Sequence, residues 1–247
     1  MNTKELLQPY LDKAKSELFT SLVDQVMKEH FLTPPPNILE PKEIWEQKKR
    51  NELIELFSGQ AAIDKTARGF DAIIENLNSL LSPQEMEKVS QEWERGVENW
   101  IAETKIVQEN ATPKGSLMKI MGLSEELFVK FYQAANRYFE YKDFQKASDA
   151  FYAIAGLDPS RYNVWMALGL SEAHNQRYEQ ALISFSLASL IDAGSPHPYI
   201  FSAECCLKEN RREEAKIYVE LAEEAVNHST LKDKQSLLAS IQNLKQL

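Results

Sequence analysis

The chain has 247 residues, with 28 Lys+Arg against 37 Asp+Glu, a formal net charge of -9 and a pI near 5.1. That balance offers no basic field for a phosphate backbone or an anionic lipid surface, so neither nucleic-acid binding nor membrane insertion is expected. Only 8 glycines occur, Leu, Glu, Lys, Gln and Ala are abundant, and no Asn-Gly or Asp-Gly hairpin signal is present, which predicts an all-α fold. Cys205 and Cys206 are sequence neighbours that cannot easily close an intrachain bridge, so a reducing, cytoplasmic setting is expected. The first 31 residues lack the apolar core of a signal peptide, and nowhere do enough apolar residues run together to span a bilayer.

In chain order, the first predicted helix covers residues 3–31, with Leu7, Leu11, Ala14, Leu18, Leu22 and Val26 at helical spacing, and Pro34-Pro35-Pro36 stops it. Helices over 42–57 and 61–81 follow. A fourth opens at Ser82-Pro83-Gln84-Glu85, which combines an N-cap serine, a proline at the first helical position and a glutamate at the third. On it Met86, Trp93, Trp100 and Val107 fall seven apart, beside Val89 and Val97. So short a stripe is less than a sustained coiled coil and reads first as a core face and second as the seam of a homodimer. Thr112-Pro113 and Gly115 mark a domain boundary, giving a helical N-terminal region over 1–112, with 13 basic and 20 acidic side chains, and a second domain over 113–247.

The second domain repeats itself. Ala147, Ala181 and Ala215 stand 34 apart, each followed by Phe151, Phe185 and Val219 and then by Ile154, Ala188 and Ala222. Upstream of each alanine stand Phe131, Trp165 and Tyr199, then a small residue, Ala135, Gly169 and Ala203. The middle copy carries Trp165-x2-Leu168-Gly169 and Ala181-x3-Phe185, the pattern of the tetratricopeptide repeat, and Pro159 closes the first copy. Small residues let paired helices approach while an aromatic fills the space beside them. Three repeats over about 128–161, 162–195 and 196–229 predict a right-handed superhelical array, and Leu237, Ile241 and Leu244 on a last amphipathic helix suit a cover for its open end. Two positions depart from the pattern: Glu172 stands where an aromatic is usual, and Ala193 replaces the closing proline.

Signatures of catalysis are absent: no G-x-S-x-G, phosphate-binding loop, dinucleotide fingerprint, H-E-x-x-H or C-x-x-C occurs. The scattered histidines, His30, His174, His197 and His228, read as surface or packing residues, and Cys206 as a small buried hydrophobe. The chain is therefore expected to be no enzyme and to need neither cofactor nor metal.

What remains is binding. The first helix of each repeat carries a second apolar stripe that pairing with its own partner helix does not require: Tyr132, Asn136 and Phe139, then Met166, Leu170 and Ala173, then Ile200, Glu204 and Leu207. This stripe is expected to face the concave groove and to bind an extended apolar ligand, unless helices of the same chain fill it. The stripe holds no lysine or arginine, so an acidic peptide tail fits less well.

The run Lys114-Gly-Ser-Leu-Met-Lys-Ile-Met-Gly-Leu-Ser-Glu-Glu-Leu127, the segment Phe131 to Tyr138, the segment Tyr162 to Leu170 and above all Pro196-His-Pro-Tyr-Ile-Phe-Ser-Ala-Glu-Cys-Cys-Leu207 resemble the class II chaperones of bacterial type III secretion, the SycD/LcrH family. The resemblance covers about residues 114–228. It implies a cytosolic, non-enzymatic chaperone that holds a translocator-type secreted client before export. Carried onto this chain, it implies groove aromatics at Tyr132, Phe139 and Phe144, with Asn136 where the family often has an aromatic. The alternative function is a structural adaptor of a secretion apparatus that binds folded partners through repeats and N-terminal helices.

Overall fold

A computed structural model of the chain describes residues 60–107, 116–228 and 234–245, together with isolated positions between 41 and 51. The expected helix over 3–31, its proline stop and the boundary at 110–115 lie outside the described residues; of the helix expected over 42–57, only positions 43, 44, 47, 50 and 51 are described, and all five are helical. The chain divides into two compact units, residues 1–130 and 131–247. Among the described residues every regular element is an α-helix.

In the first unit α1 (Gln60–Leu80) leads through Leu81 and Ser82 into α2 (Pro83–Val107), and α3 (Leu117–Met121) follows. The start of α2 forms the expected reciprocal cap. The Ser82 backbone N–H donates to Glu85 Oε2 at 2.9 Å, and the Glu85 N–H donates back to Ser82 Oγ at 3.4 Å. The stripe of α2 forms a core face of this unit at Val89, Trp93 and Trp100: Trp100 and Val89 are buried, and Trp93 packs a tilted ring on Phe70 at 5.0 Å. α2 also holds α3 directly, since Asn99 Nδ2 donates to the Met121 carbonyl at 3.0 Å.

Helix α4 (Glu125–Glu140) begins in the first unit and ends in the second, which continues as α5 (Phe144–Leu157), α6 (Tyr162–His174), α7 (Tyr178–Ile191), α8 (His197–Lys208), α9 (Arg212–His228) and α10 (Lys234–Lys245). These are three helix–turn–helix repeats and a terminal helix. The 34-residue columns of the sequence are the core: Ala147, Ala181, Phe151, Phe185, Ile154, Ala188, Ala135 and Ala203 have no measurable exposure, and Trp165 is 1% exposed.

The tightest contact lies in the middle repeat. A Cβ built on Gly169 would fall 2.5 Å from Phe185 Cε1 and 2.7 Å from Cδ1, so only glycine lets α6 approach the ring on α7. The ring has little room to yield, because it also stacks on Phe201 of α8 at 5.6 Å. The Trp165 indole N–H is satisfied across the inter-repeat turn by the Pro159 carbonyl at 2.7 Å, so the closing proline and the repeat's leading aromatic meet.

Within each repeat the turn is the same. Lys142, Gln176 and Asn210, again 34 apart, take φ of 61°, 60° and 60°. The next residue donates back five positions: Asp143 N to Tyr138 O at 2.9 Å, Arg177 N to Glu172 O at 2.9 Å and Arg211 N to Cys206 O at 2.8 Å. This is the Schellman closure of a helix, achieved three times without glycine. Between repeats, Asp158 and Asp192 end the second helices. Asp158 accepts from Ser160 N at 3.2 Å, Ser160 Oγ at 2.7 Å and Arg161 Nε at 2.7 Å, and Asp192 accepts from Gly194 N at 3.2 Å. The aspartate turn explains why Ala193 can replace the proline.

Glu172 is 1% exposed at the position of Tyr138 and Cys206. Its carboxylate is satisfied on both oxygens, by Ser148 Oγ of α5 at 2.6 Å and by Arg177 Nη1 at 3.3 Å, which is how a charge survives among apolar columns. At the far end α10 lays Ile241, with Leu237, Leu238 and Leu244, on Ile200, Ala203, Val219, Ala222 and Val226 of the third repeat. It covers the end of the array, as expected.

Gly169→Ala should lower unfolding free energy by about 1–3 kcal/mol through overpacking, measured by denaturant titration. Burial pushes the Asp158 carboxyl up, but its bonds to Ser160 and Arg161 outweigh that and set it below the usual carboxylate range. Its contribution is therefore present above the unfolded-state pKa and lost as pH falls through the folded one. The stability gap between wild type and Asp158→Asn should be open at neutral pH and close in the acid limb; a gap independent of pH would refute this.

Candidate functional site

The first helices of the repeats, α4, α6 and α8, carry the stripe singled out in the sequence, and its members differ in exposure. Tyr132, Asn136, Phe139, Leu170, Ala173 and Leu207 are half-buried, as is Phe144 at the start of α5. Glu204 is exposed. Met166 and Ile200, expected to face an open groove, are instead buried at 8% and 6% exposure. Ile200 belongs to the cluster sealed by α10, so the terminal helix removes it from the surface.

Several of these residues meet. The Phe139 and Phe144 rings pack edge-on at 5.3 Å, and His174, from the end of α6, stacks on Phe144 at 4.4 Å with 10° between planes and meets Phe139 edge-on at 5.5 Å. The turn at Lys142 brings the end of α4 and the start of α5 together, and α6 supplies the imidazole. His174 read as an ordinary surface or packing residue in the sequence; nothing in its local pattern signals that it closes an aromatic cluster with residues 30 and 35 positions away. Tyr132 packs on the fully buried Phe151 at 5.4 Å, and partial burial raises its phenol pKa. Asn136 is occupied, donating to Glu140 Oε1 at 2.7 Å. The face is thus an aromatic end on the first repeat, an aliphatic middle at Leu170 and Ala173, and Leu207 with a carboxylate on the third.

Nothing among the described residues suggests covalent or metal chemistry. No group of three His, Cys, Asp or Glu side chains is placed to hold a metal ion. Both cysteines are free and buried, and burial pushes each thiol up to about 12, with Arg211 opposing the shift at Cys206 and nearby carboxylates adding to it. No helix among the described residues is long and apolar enough to cross a membrane.

These features define a tetratricopeptide array with a terminal covering helix and a half-buried apolar row along its first helices. No protein-family model and no curated protein matches the chain. Among solved structures its fold is similar to that of the type III secretion translocator chaperone SycD of Yersinia enterocolitica, with a TM-score of 0.51 and 21% identity over 55% of this chain and 100% of that one. A T3SS complex from Aeromonas hydrophila matches with a TM-score of 0.51 and 19% identity over 59% and 95% of the two chains. PcrH, solved with the chaperone-binding region of PopB, gives a TM-score of 0.47 and 24% identity over 50% and 98%. At such identities the likeness is one of fold.

A pKa near 12 lowers the thiolate fraction at pH 8 by about three orders of magnitude relative to an ordinary thiol. Native protein should therefore leave both cysteines unlabelled by a disulfide reagent on a timescale that modifies both in denaturant; rapid native labelling of either would contradict the burial described.

Proposed function

We propose that the chain is a non-enzymatic chaperone of the cytoplasm that holds an extended apolar segment of a secreted, translocator-type protein along the first helices of its repeats. In this reading residues 113–247 form the chaperone-like domain and residues 1–112 a separate helical region. The supporting observation is the set of half-buried Tyr132, Phe139, Phe144, Leu170, Ala173 and Leu207, of which Phe139, Ala173 and Leu207 recur at the 34-residue period, on a face that the pairing of helices within each repeat leaves partly in water. At about 25 cal/mol per Å² of apolar surface removed from water, covering these six side chains supplies several kcal/mol, a useful affinity for a client that must later be released. The fold shared with a translocator chaperone supports the same reading.

Burial decides which variants test it. Met166→Glu would put a carboxylate into the core and report on folding, whereas Leu170 and Leu207 are half-buried. The double variant Leu170→Glu/Leu207→Glu should keep wild-type helicity and a cooperative melt. Co-expressed with a translocator-type protein encoded in the same genome, it should lose the gain in soluble client that wild type provides, with at least about tenfold weaker binding by calorimetry. A folded double variant that solubilises and binds the client as wild type does would overturn the proposal in favour of an adaptor working through other surfaces.

A further inference from the structure

One position of the apolar row breaks its chemistry. Asn136, Leu170 and Glu204 stand 34 apart on α4, α6 and α8 and so occupy equivalent places. Asn136 is already bonded to Glu140, and Leu170 is apolar. Glu204 lies between buried Ile200 and half-buried Leu207, and no hydrogen bond or ion pair holds it among the described residues. Lys208, one turn on, lowers its pKa through charge without reaching ion-pair distance, while desolvation raises it more. Glu209, just past the end of the same helix, is engaged by Arg211 at 3.1 Å, and the neighbouring thiols are uncharged at neutral pH.

An extended segment lying along the row must cover this carboxylate or carry a partner for it. Covering it with an apolar side chain strips its water and leaves an unpaired buried charge. A second carboxylate is repelled. A lysine or arginine restores the lost hydration with a charge-assisted hydrogen bond. We infer that the face selects an extended segment that is apolar at most positions and carries one basic side chain opposite Glu204, which makes Glu204 a specificity determinant for the client. The inference rests on the proposed function of the row as a binding face.

Titration of the full chain by fluorescence polarisation with three synthetic peptides tests it. The peptides carry leucine at alternate positions and differ at one intervening position, set to lysine, norleucine or glutamate and moved along the peptide in separate series. Wild type should bind the best lysine peptide about five- to tenfold more tightly than its norleucine counterpart, with glutamate weakest, and added salt should narrow the difference. Glu204→Gln should bring the lysine and norleucine peptides level without weakening the latter, and Glu204→Lys should shift the preference to glutamate. Equal binding of lysine and norleucine peptides by wild type, or a lysine preference that survives Glu204→Gln, would overturn the specificity while leaving the groove as a binding face. Failure of every peptide to bind wild type would overturn the groove reading and the inference with it.

Discussion

The close approach of paired helices at a small residue is the constraint on which the array depends. At Gly169 the ring of Phe185 takes the volume that a Cβ would need, and Ala135 and Ala203 hold the same place in the flanking repeats. Because the column is small on the first helix and large on the second, each hairpin closes at one depth and one register, and the next is stacked on it by residues such as Trp165 and Phe201. The direction of the apolar row follows from that register: a helix rotated away from the Gly169 contact would turn Leu170 elsewhere.

Polar contacts refine this packing rather than create it. Arg177 and Arg211 occupy equivalent positions at the starts of second helices, and each reaches one repeat back, Arg177 to Gln145 and Arg211 to Glu179 at 2.6 Å. Partly exposed pairs of this kind add little free energy individually. Their use is to resist sliding of one repeat over the next, and buried Glu172, tied to Ser148 and Arg177, does the same from inside. The three left-handed turn residues cost backbone strain that the packed helices on either side sustain.

In the proposed function, the division of the first helices into a packed face and a partly wet face is what gives the solenoid a binding surface. The first repeat presents ring surface at Phe139 and Phe144, with His174 of the second stacked on it; the third offers Leu207 and a carboxylate. Under the proposed function, a ligand read by such a face would be distinguished along its length, with bulk at one end and charge at the other, so that shape and electrostatics select it together.

Much of the fold was legible in the sequence because tetratricopeptide packing is quasi-one-dimensional: contacts recur at a fixed separation, so the column Ala147/Ala181/Ala215 and the aromatics Phe131 and Trp165, with the partly buried Tyr199, could be read as packing positions, and Ser82 with Glu85 as a helix start. Helical spacing also placed the second stripe on the first helices. It could not tell how deeply each member sits. Ile200 disappears beneath α10 and Met166 into the core, while Tyr132 at the equivalent position stays half-exposed, since burial depends on which elements lie alongside and no periodicity encodes that. The junction of His174 with Phe139 and Phe144 and the hydrogen bond by which Ser148 satisfies the Glu172 carboxylate were likewise decided by tertiary structure, because each joins side chains from different repeats whose sequence separation exceeds any helical period.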